Sequence, residues 1–106
     1  MRELNKTYKE NGLTLRLITG NYSSNNAVYF GLIDDKTKEP YCDITVNLSF
    51  SSKSIIELDN DFRNYSSKKL IKKIINDLTF DYLADDYSGF CSYPIYTLKS
   101  EYISSL

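Results

Sequence analysis

Apolar and polar residues follow a helical period near the middle of the chain, between residues 66 and 78. The apolar positions recur at i, i+1, i+4, i+5 and i+8, which places them on one side of an α-helix with the lysines on the other. They are Leu70, Ile71, Ile74, Ile75 and Leu78. Ser66 or Ser67 can cap the first turn by accepting a backbone hydrogen bond. Because a helix of about three turns is unstable alone in water, we expect its apolar stripe to pack on a sheet.

Three segments before this helix alternate apolar and polar residues with the period of a strand that has one buried face. They are residues 13–17, 27–33 and 41–50. The short connections carry turn-forming residues, which favours an antiparallel meander. The predicted fold class is therefore α+β, an antiparallel sheet of three to five strands packed on one face by the amphipathic helix. The 106 residues are few enough to form a single domain.

The segments at the two ends carry weaker patterns. Residues 1–11 are predicted to form a short strand or a frayed arm. Residues 90–98 are predicted to be extended, and we expect an edge strand or a strap because Pro94 cannot donate to a ladder. Residues 99–106 are predicted to end in a short helix.

A short strand is also predicted at residues 55–58, followed by Asp59 and Asp61. The two aspartates resemble the start of a calcium loop. Such a loop needs glutamate where Leu70 stands, so a turn or a helix cap explains them better.

Composition narrows the chemistry that the chain can perform. It contains no histidine, which removes the usual general base and the commonest zinc ligand. The four glycines are isolated, so no phosphate-binding loop is present. We therefore expect no enzymatic activity, no catalytic residue, no cofactor and no metal, with a hydrolase as the weakest alternative. Cys42 and Cys91 are predicted to be free thiols buried as small apolar side chains.

The charge balance and the hydropathy pattern bear on location. The formal net charge is −1, which selects neither nucleic acid nor a membrane surface. No apolar run approaches the roughly 20 residues that span a bilayer, and the charged start of the chain lacks a signal-peptide core. We expect a cytoplasmic protein that does not bind membranes.

One candidate surface is acidic. Between Ile74 and Leu98 the chain contains aspartates but no lysine or arginine. If the helix continued past Leu78, three of these aspartates would share a face and alternate with tyrosines. The candidate partner contacts are Asp77, Asp81, Tyr82, Asp85, Asp86 and Tyr87. Such a surface could mimic the phosphates of DNA in the basic channel of a partner, or it could simply be solvated.

The other candidate surface is basic, on the polar side of the predicted helix. Its residues could contact phosphates while nearby tyrosines stack on bases. They are Arg63, Lys68, Lys69, Lys72 and Lys73. The ordinary solvated face of an amphipathic helix has the same composition, and the pattern favours that interpretation.

Three segments resemble a small uncharacterised bacterial family. Residues 44–48 read Ile-Thr-Val-Asn-Leu, residues 58–60 read Leu-Asp-Asn, and residues 88–96 read Ser-Gly-Phe-Cys-Ser-Tyr-Pro-Ile-Tyr. The family has a similar strand, an Asp-Asn turn before a helix and a Tyr-Pro-x-Tyr motif near its C-terminus. It is similar to proteins of conjugative elements and phages, which also carry inhibitors of bacterial defence such as anti-CRISPR proteins. The chain departs from it at residues 81–86, where acidic residues replace a glycine-rich segment.

The resemblance implies an accessory protein of a mobile element and brings no catalytic residues. Together with the acidic surface it favours a non-enzymatic counter-defence inhibitor that binds and blocks a bacterial defence nuclease, such as a CRISPR effector or its guide complex. The alternative is a nucleic-acid-binding accessory protein that acts through the lysine-rich face of the helix.

Overall fold

The structure is a computed structural model that describes residues 1–103. Its strands and helices, in chain order, are β1 (Arg2–Glu10), β2 (Leu13–Asn21), β3 (Val28–Asp34), β4 (Pro40–Asp43), β5 (Thr45–Val46), β6 (Ile55–Leu58), α1 (Asn60–Tyr65), α2 (Lys68–Leu78), β7 (Thr79–Ser88) and β8 (Cys91–Leu98). A 3-10 helix follows at Ser100–Tyr102. The predicted α+β class is confirmed.

The strands form two antiparallel sheets of four strands each, in the orders β1-β2-β3-β4 and β5-β6-β8-β7. The single sheet predicted from the sequence is therefore wrong. The chain passes from one sheet to the other at Ile44, which is fully buried. The N–H of Ile44 donates to the carbonyl of Phe30 in the first sheet, and its own carbonyl accepts from the N–H of Asp59, just after β6. Ile44 is thus hydrogen-bonded to both sheets, and the N–H of Phe30 also donates to Oγ1 of Thr45 in β5.

Both sheets and α2 contribute to one hydrophobic core. Its fully buried members include Leu15, Leu17, Phe30, Leu32, Ile56, Leu58, Phe62 and Ile74. Burial of each such side chain contributes roughly 1.5–3 kcal/mol.

The helix predicted at residues 66–78 is present as α2. Its N-cap is Ser67, whose Oγ accepts from the N–H of Leu70 at 3.1 Å. Leu70, Ile74 and Leu78 are buried, whereas Ile71 and Ile75 are partly buried against the same core. The helix ends at Leu78 because Thr79 has extended backbone angles and its hydroxyl donates to the carbonyl of Ile75.

The strand predicted at residues 41–50 is broken at Ile44 into β4 and β5, which belong to different sheets. The chain leaves the strand after Val46, and Phe50 is exposed instead of facing the core. The physical reason is that the N–H of Phe50 donates to the Glu57 carboxylate, which holds this segment as a loop. The alternation of residues 47–50 therefore does not represent a strand.

The end of the chain also differs from the prediction. The helix does not continue into the acidic run, since residues 79–88 form strand β7. β8 is an inner strand between β6 and β7, not an edge strand. Pro94 is accommodated because β6 pairs with β8 only at Ile95–Thr97, and on the other side Pro94 lies opposite Asp85.

The remaining predictions can be placed directly. Residues 1–11 contain the full strand β1, and residues 55–58 form β6 as predicted. Asp59 is the N-cap of α1 and accepts from the N–H of Asp61 at 2.7 Å, which confirms the cap. Of the predicted terminal helix, Ser100–Tyr102 forms a 3-10 helix, and residues 104–106 lie outside the described residues.

Within residues 1–103, no helix has the length and apolar character needed to cross a membrane. Both cysteines are free thiols. Cys42 is partly buried, but Cys91 is exposed, contrary to the prediction, because it lies where β8 begins at the end of a projecting hairpin.

Candidate functional site

Strands β7 and β8 form a hairpin whose β7 side is almost entirely exposed to solvent. Ser88 pairs with Cys91, so the turn consists of two residues, Gly89 and Phe90. Gly89 has a φ of +63°, a conformation that costs glycine little. The side chain of Phe90 is fully exposed at the tip.

Exposed apolar side chains are concentrated on this hairpin. Among residues 1–103, nine large hydrophobic side chains are exposed, and five of them lie between residues 80 and 90. These five are Phe80, Tyr82, Leu83, Tyr87 and Phe90. Isolated exposed apolar residues are common, but a cluster of this kind is typical of an interaction surface.

Two tyrosines and an aspartate lie on one face of the hairpin. Tyr82, Asp85 and Tyr87 pair with Tyr96, Pro94 and Ser92, which alternate along β8 and so share a face. The hydroxyl of Tyr82 donates to Oδ1 of Asp85 at 3.0 Å. This hydrogen bond is the main cause that raises the pKa of the Tyr82 phenol. The ring of Tyr82 packs edge-on against that of Tyr96, with centroids 5.5 Å apart. We call Tyr82, Asp85 and Tyr87 the tyrosine–aspartate face.

Asp81 and Asp86 take different positions on β7. Asp81 is exposed, and its N–H donates to Oγ1 of Thr97. Asp86 is only partly exposed, and its carboxylate is close enough to Glu57 to raise the pKa of the Glu57 carboxyl. Asp86 is therefore less accessible to a partner than Asp81 or Asp85.

Glu57 is a fully buried carboxyl beneath the hairpin. Its Oε2 accepts from the N–H of Phe50 at 3.1 Å and from the hydroxyl of Ser51 at 3.2 Å. Burial first, and the neighbouring Asp86 second, raise the pKa of the Glu57 carboxyl. A raised pKa means that the protonated form of Glu57 is favoured by the fold. The sequence pattern did not single out Glu57, because an acid within an apolar strand is usually exposed.

Asp77 lies apart from the hairpin, in the last turn of α2. Its Oδ2 accepts from the hydroxyl of Tyr8, which is buried on β1, at 2.7 Å. Asp77 is therefore already engaged in joining α2 to the first sheet.

The basic candidates do not form one surface either. The four lysines of α2 are exposed: Lys68, Lys69, Lys72 and Lys73. Arg63 instead extends from α1 to the hairpin, where its Nη1 donates to the carbonyl of Ser92 at 3.0 Å. Arg63 thus supports β8 and is separated in role from the lysines.

A cleft of about 280 Å³ runs between α2 and β1, and its lining includes Lys9, Lys69 and Lys73. The carboxylate of Glu10 lies in the same cleft and accepts from the N–H and the hydroxyl of Ser67 at 2.8 and 2.9 Å. The N-terminus of α2 is therefore occupied by the chain's own carboxylate.

A second cleft, of about 400 Å³, is acidic and is lined by Tyr41, Cys42, Asp43, Asp59, Asp61, Tyr65 and Ser66. Burial, followed by the nearby carboxylates, raises the pKa of the Cys42 thiol to about 12. Throughout the part of the chain that the structure describes, no group of three or more His, Cys, Asp or Glu side chains is placed to hold a metal ion.

Comparison of the chain with protein-family models, with curated proteins and with solved structures finds no match. The candidate surfaces are therefore compared by their own chemistry. Within residues 1–103, the hairpin carries five of the nine exposed large hydrophobic side chains, in the same strand as the exposed Asp81 and Asp85.

Proposed function

We propose that the protein is a non-enzymatic inhibitor that binds a protein partner through the β7–β8 hairpin. The observation that carries the proposal is the exposure of five large apolar side chains beside carboxylates, in a segment without lysine or arginine. Large aromatic side chains supply most of the binding energy at protein interfaces. Carboxylates select a partner of the opposite charge and speed its association.

The partner that fits this combination is a nucleic-acid-binding channel. Such channels place lysine and arginine against phosphates and apolar or aromatic surfaces against bases. The hairpin offers a matching pair of features, with Asp81 and Asp85 in place of phosphates and exposed rings in place of bases. Together with the resemblance of residues 88–96 to a mobile-element family, this supports a counter-defence inhibitor of a bacterial defence nuclease, such as a CRISPR effector.

The test is a DNA-cleavage assay with a panel of purified, guide-loaded CRISPR nucleases. The hairpin variant reverses the two exposed charges with Asp81→Lys and Asp85→Lys. We leave Asp86 unchanged because it lies beside the buried Glu57, and its reversal would disturb the fold. The matched control carries Glu39→Lys and Glu101→Lys, which make the same change in net charge at exposed positions elsewhere.

We expect the wild type and the control to inhibit at least one nuclease of the panel, and the hairpin variant to need at least tenfold more protein. Equal inhibition by the hairpin variant would remove the hairpin from the binding surface. Inhibition of no nuclease by the wild type would contradict the counter-defence role.

The cleft between α2 and β1 supports a second candidate function, a nucleic-acid-binding accessory protein, because Lys9 lines it together with Lys69 and Lys73. A gel shift with duplex and single-stranded DNA at several salt concentrations separates the two functions. An inhibitor of this kind should produce no shift. A phosphate-binding protein should lose affinity as salt is added, and the logarithm of its association constant should fall against the logarithm of the salt concentration with a slope of about 0.9 per phosphate contacted on duplex DNA.

A further inference from the structure

We propose that β7 accepts an extended basic segment of the partner as an additional strand, hydrogen-bonded to the backbone at Asp85 and Tyr87. This inference rests on the proposed function, since it takes the hairpin as the binding surface, and it adds how the partner is held and which chemistry is recognised.

β7 is the outermost strand of its sheet, and among residues 1–103 no strand pairs with its outer side. It is also long, with ten residues from Thr79 to Ser88. An exposed edge of this length is a template for another strand, because its outward N–H and C=O groups need partners.

Pro94 identifies which backbone groups point outward. Residues that face each other in an antiparallel pair alternate between hydrogen-bonded and non-hydrogen-bonded positions. Asp85 lies opposite Pro94, which has no N–H, so this pair is non-hydrogen-bonded. The N–H and C=O of Asp85 therefore point away from β8. Two residues along the strand, Tyr87 has the same orientation.

The side chains at these positions select a cation. Oδ1 of Asp85 is occupied by the Tyr82 hydroxyl, and no hydrogen bond within residues 1–103 engages Oδ2. On the tyrosine–aspartate face, Asp85 lies between Tyr82 and Tyr87 along the strand. A guanidinium or ammonium group can pair with the carboxylate and stack on a ring.

The same charges disfavour a second copy of this chain as the added strand. Pairing β7 with another β7 would bring aspartates of the two copies together, and like charges across a strand pair are destabilising. A segment that alternates arginine or lysine with small β-forming residues has the opposite effect. The charge complementarity therefore favours a basic strand.

The first experiment uses the wild-type protein and two synthetic peptides at low salt. One is a ten-residue peptide of alternating arginine and threonine. The other has the same sequence with every amide nitrogen methylated, which keeps the side chains and the charge but removes the backbone donors. We expect calorimetry to show at least tenfold tighter binding of the unmethylated peptide. Equal affinities, or no binding of either peptide, would overturn strand addition.

The second experiment compares Asp85→Pro with Asp85→Ala. Both variants lose the carboxylate that accepts from the Tyr82 hydroxyl, but only the proline variant also loses the outward N–H, while the ladder to β8 keeps its hydrogen bonds. We expect the proline variant to bind the unmethylated peptide at least tenfold more weakly than the alanine variant, and equal affinities would overturn the proposal. Circular dichroism checks that the hairpin is folded, and if it is not, the peptide comparison on the wild type decides.

Failure of this inference can be distinguished from failure of the proposed function. If Asp81→Lys with Asp85→Lys abolishes nuclease inhibition while both peptides bind equally, the hairpin is the binding surface but it does not add a strand. Sedimentation of the protein alone provides a further outcome, because a dimer that Asp85→Pro dissociates would make a second copy the occupant and overturn the proposal.

Discussion

The hydrogen bond between Tyr8 and Asp77 allows a sharp test of how α2 is held. The Tyr8 hydroxyl donates to Oδ2 of Asp77 at 2.7 Å, across 69 residues of sequence. Tyr8 is only 3% exposed. Burial, followed by the interaction with Asp77, raises the pKa of the Tyr8 phenol, so the hydroxyl remains a donor. The pair connects the N-terminal strand to the last turn of the helix that precedes the hairpin.

We predict that Tyr8→Phe destabilises the protein by about 1.5–3 kcal/mol, the contribution of a hydrogen bond to a charged group. The lower end applies because Asp77 is only partly buried and water can replace the lost donor. A domain of this size loses about 4–8 °C in melting temperature per kcal/mol. We therefore expect a decrease of about 6–12 °C, measured by thermal unfolding with circular dichroism.

The pH dependence gives the same pair a second signature. Because the pKa of Tyr8 is higher in the folded protein than its ordinary value of 10.0, folding binds a proton above that pH. The wild type should therefore lose stability as the pH rises above about 10, and Tyr8→Phe should lose less over the same interval.

The matched control is Asp77→Asn, which keeps an oxygen that can accept from Tyr8 and should cost less than Tyr8→Phe. A double-mutant cycle with Tyr8→Phe and Asp77→Ala should show a coupling of at least about 1 kcal/mol. A melting temperature unchanged by Tyr8→Phe, or additive effects in the cycle, would refute the interpretation. Both single variants should inhibit the partner normally, and loss of inhibition by a folded Asp77→Asn would return Asp77 to the binding surface.

Two further predictions concern the core and the buried acid. Ile74→Ala should lower the free energy of unfolding, measured with urea, by about 2–5 kcal/mol because Ile74 is only 1% exposed. Ile75→Ala, at a partly buried position, should lower it by less than half as much. Equal losses would contradict the described orientation of α2. Because the pKa of Glu57 is raised above the ordinary 4.5, its contribution to stability is complete below that pH and is lost as the pH rises toward its folded value. Glu57→Gln should remove this pH-dependent loss. The stability of the Glu57→Gln variant relative to the wild type should therefore increase from pH 4 to pH 8. A stability difference that does not change with pH would refute the raised pKa of Glu57.

Prediction from the sequence succeeded best for elements that bury a single face. The apolar stripe of α2 follows the helical period without interruption, and Ser67 caps the helix locally. The helix and its cap could therefore be predicted without tertiary information. The division into two sheets could not be predicted, because it depends on backbone hydrogen bonds that join Ile44 to Phe30 on one side and to Asp59 on the other. The sequence of residues 41–50 does not indicate these distant hydrogen-bond partners.

Strand β7 could not be predicted from the sequence for a similar reason. Strand β7 is exposed on both faces, so it lacks the alternation that identifies a half-buried strand, and the spacing of its aspartates imitates a helix. The interleaving of Asp81, Tyr82, Asp86 and Tyr87 was expected on a helix, whereas the structure places Tyr82 and Tyr87 on one face of β7 with Asp85. The exposed side chains of Phe80, Leu83 and Phe90 were not among the predicted contacts. The sequence feature that could have identified them is a group of large apolar residues in a segment that has no helical apolar stripe.

The different environments of the two thiols make the hairpin accessible to spectroscopy in the natural sequence. Cys91 is exposed beside the two-residue turn. Cys42 is partly buried, and because the pKa of its thiol is raised to about 12, it carries almost no reactive thiolate at neutral pH. A maleimide fluorophore should therefore attach at a single position next to Phe90, where its emission would change as the tip passes from water into a bound partner.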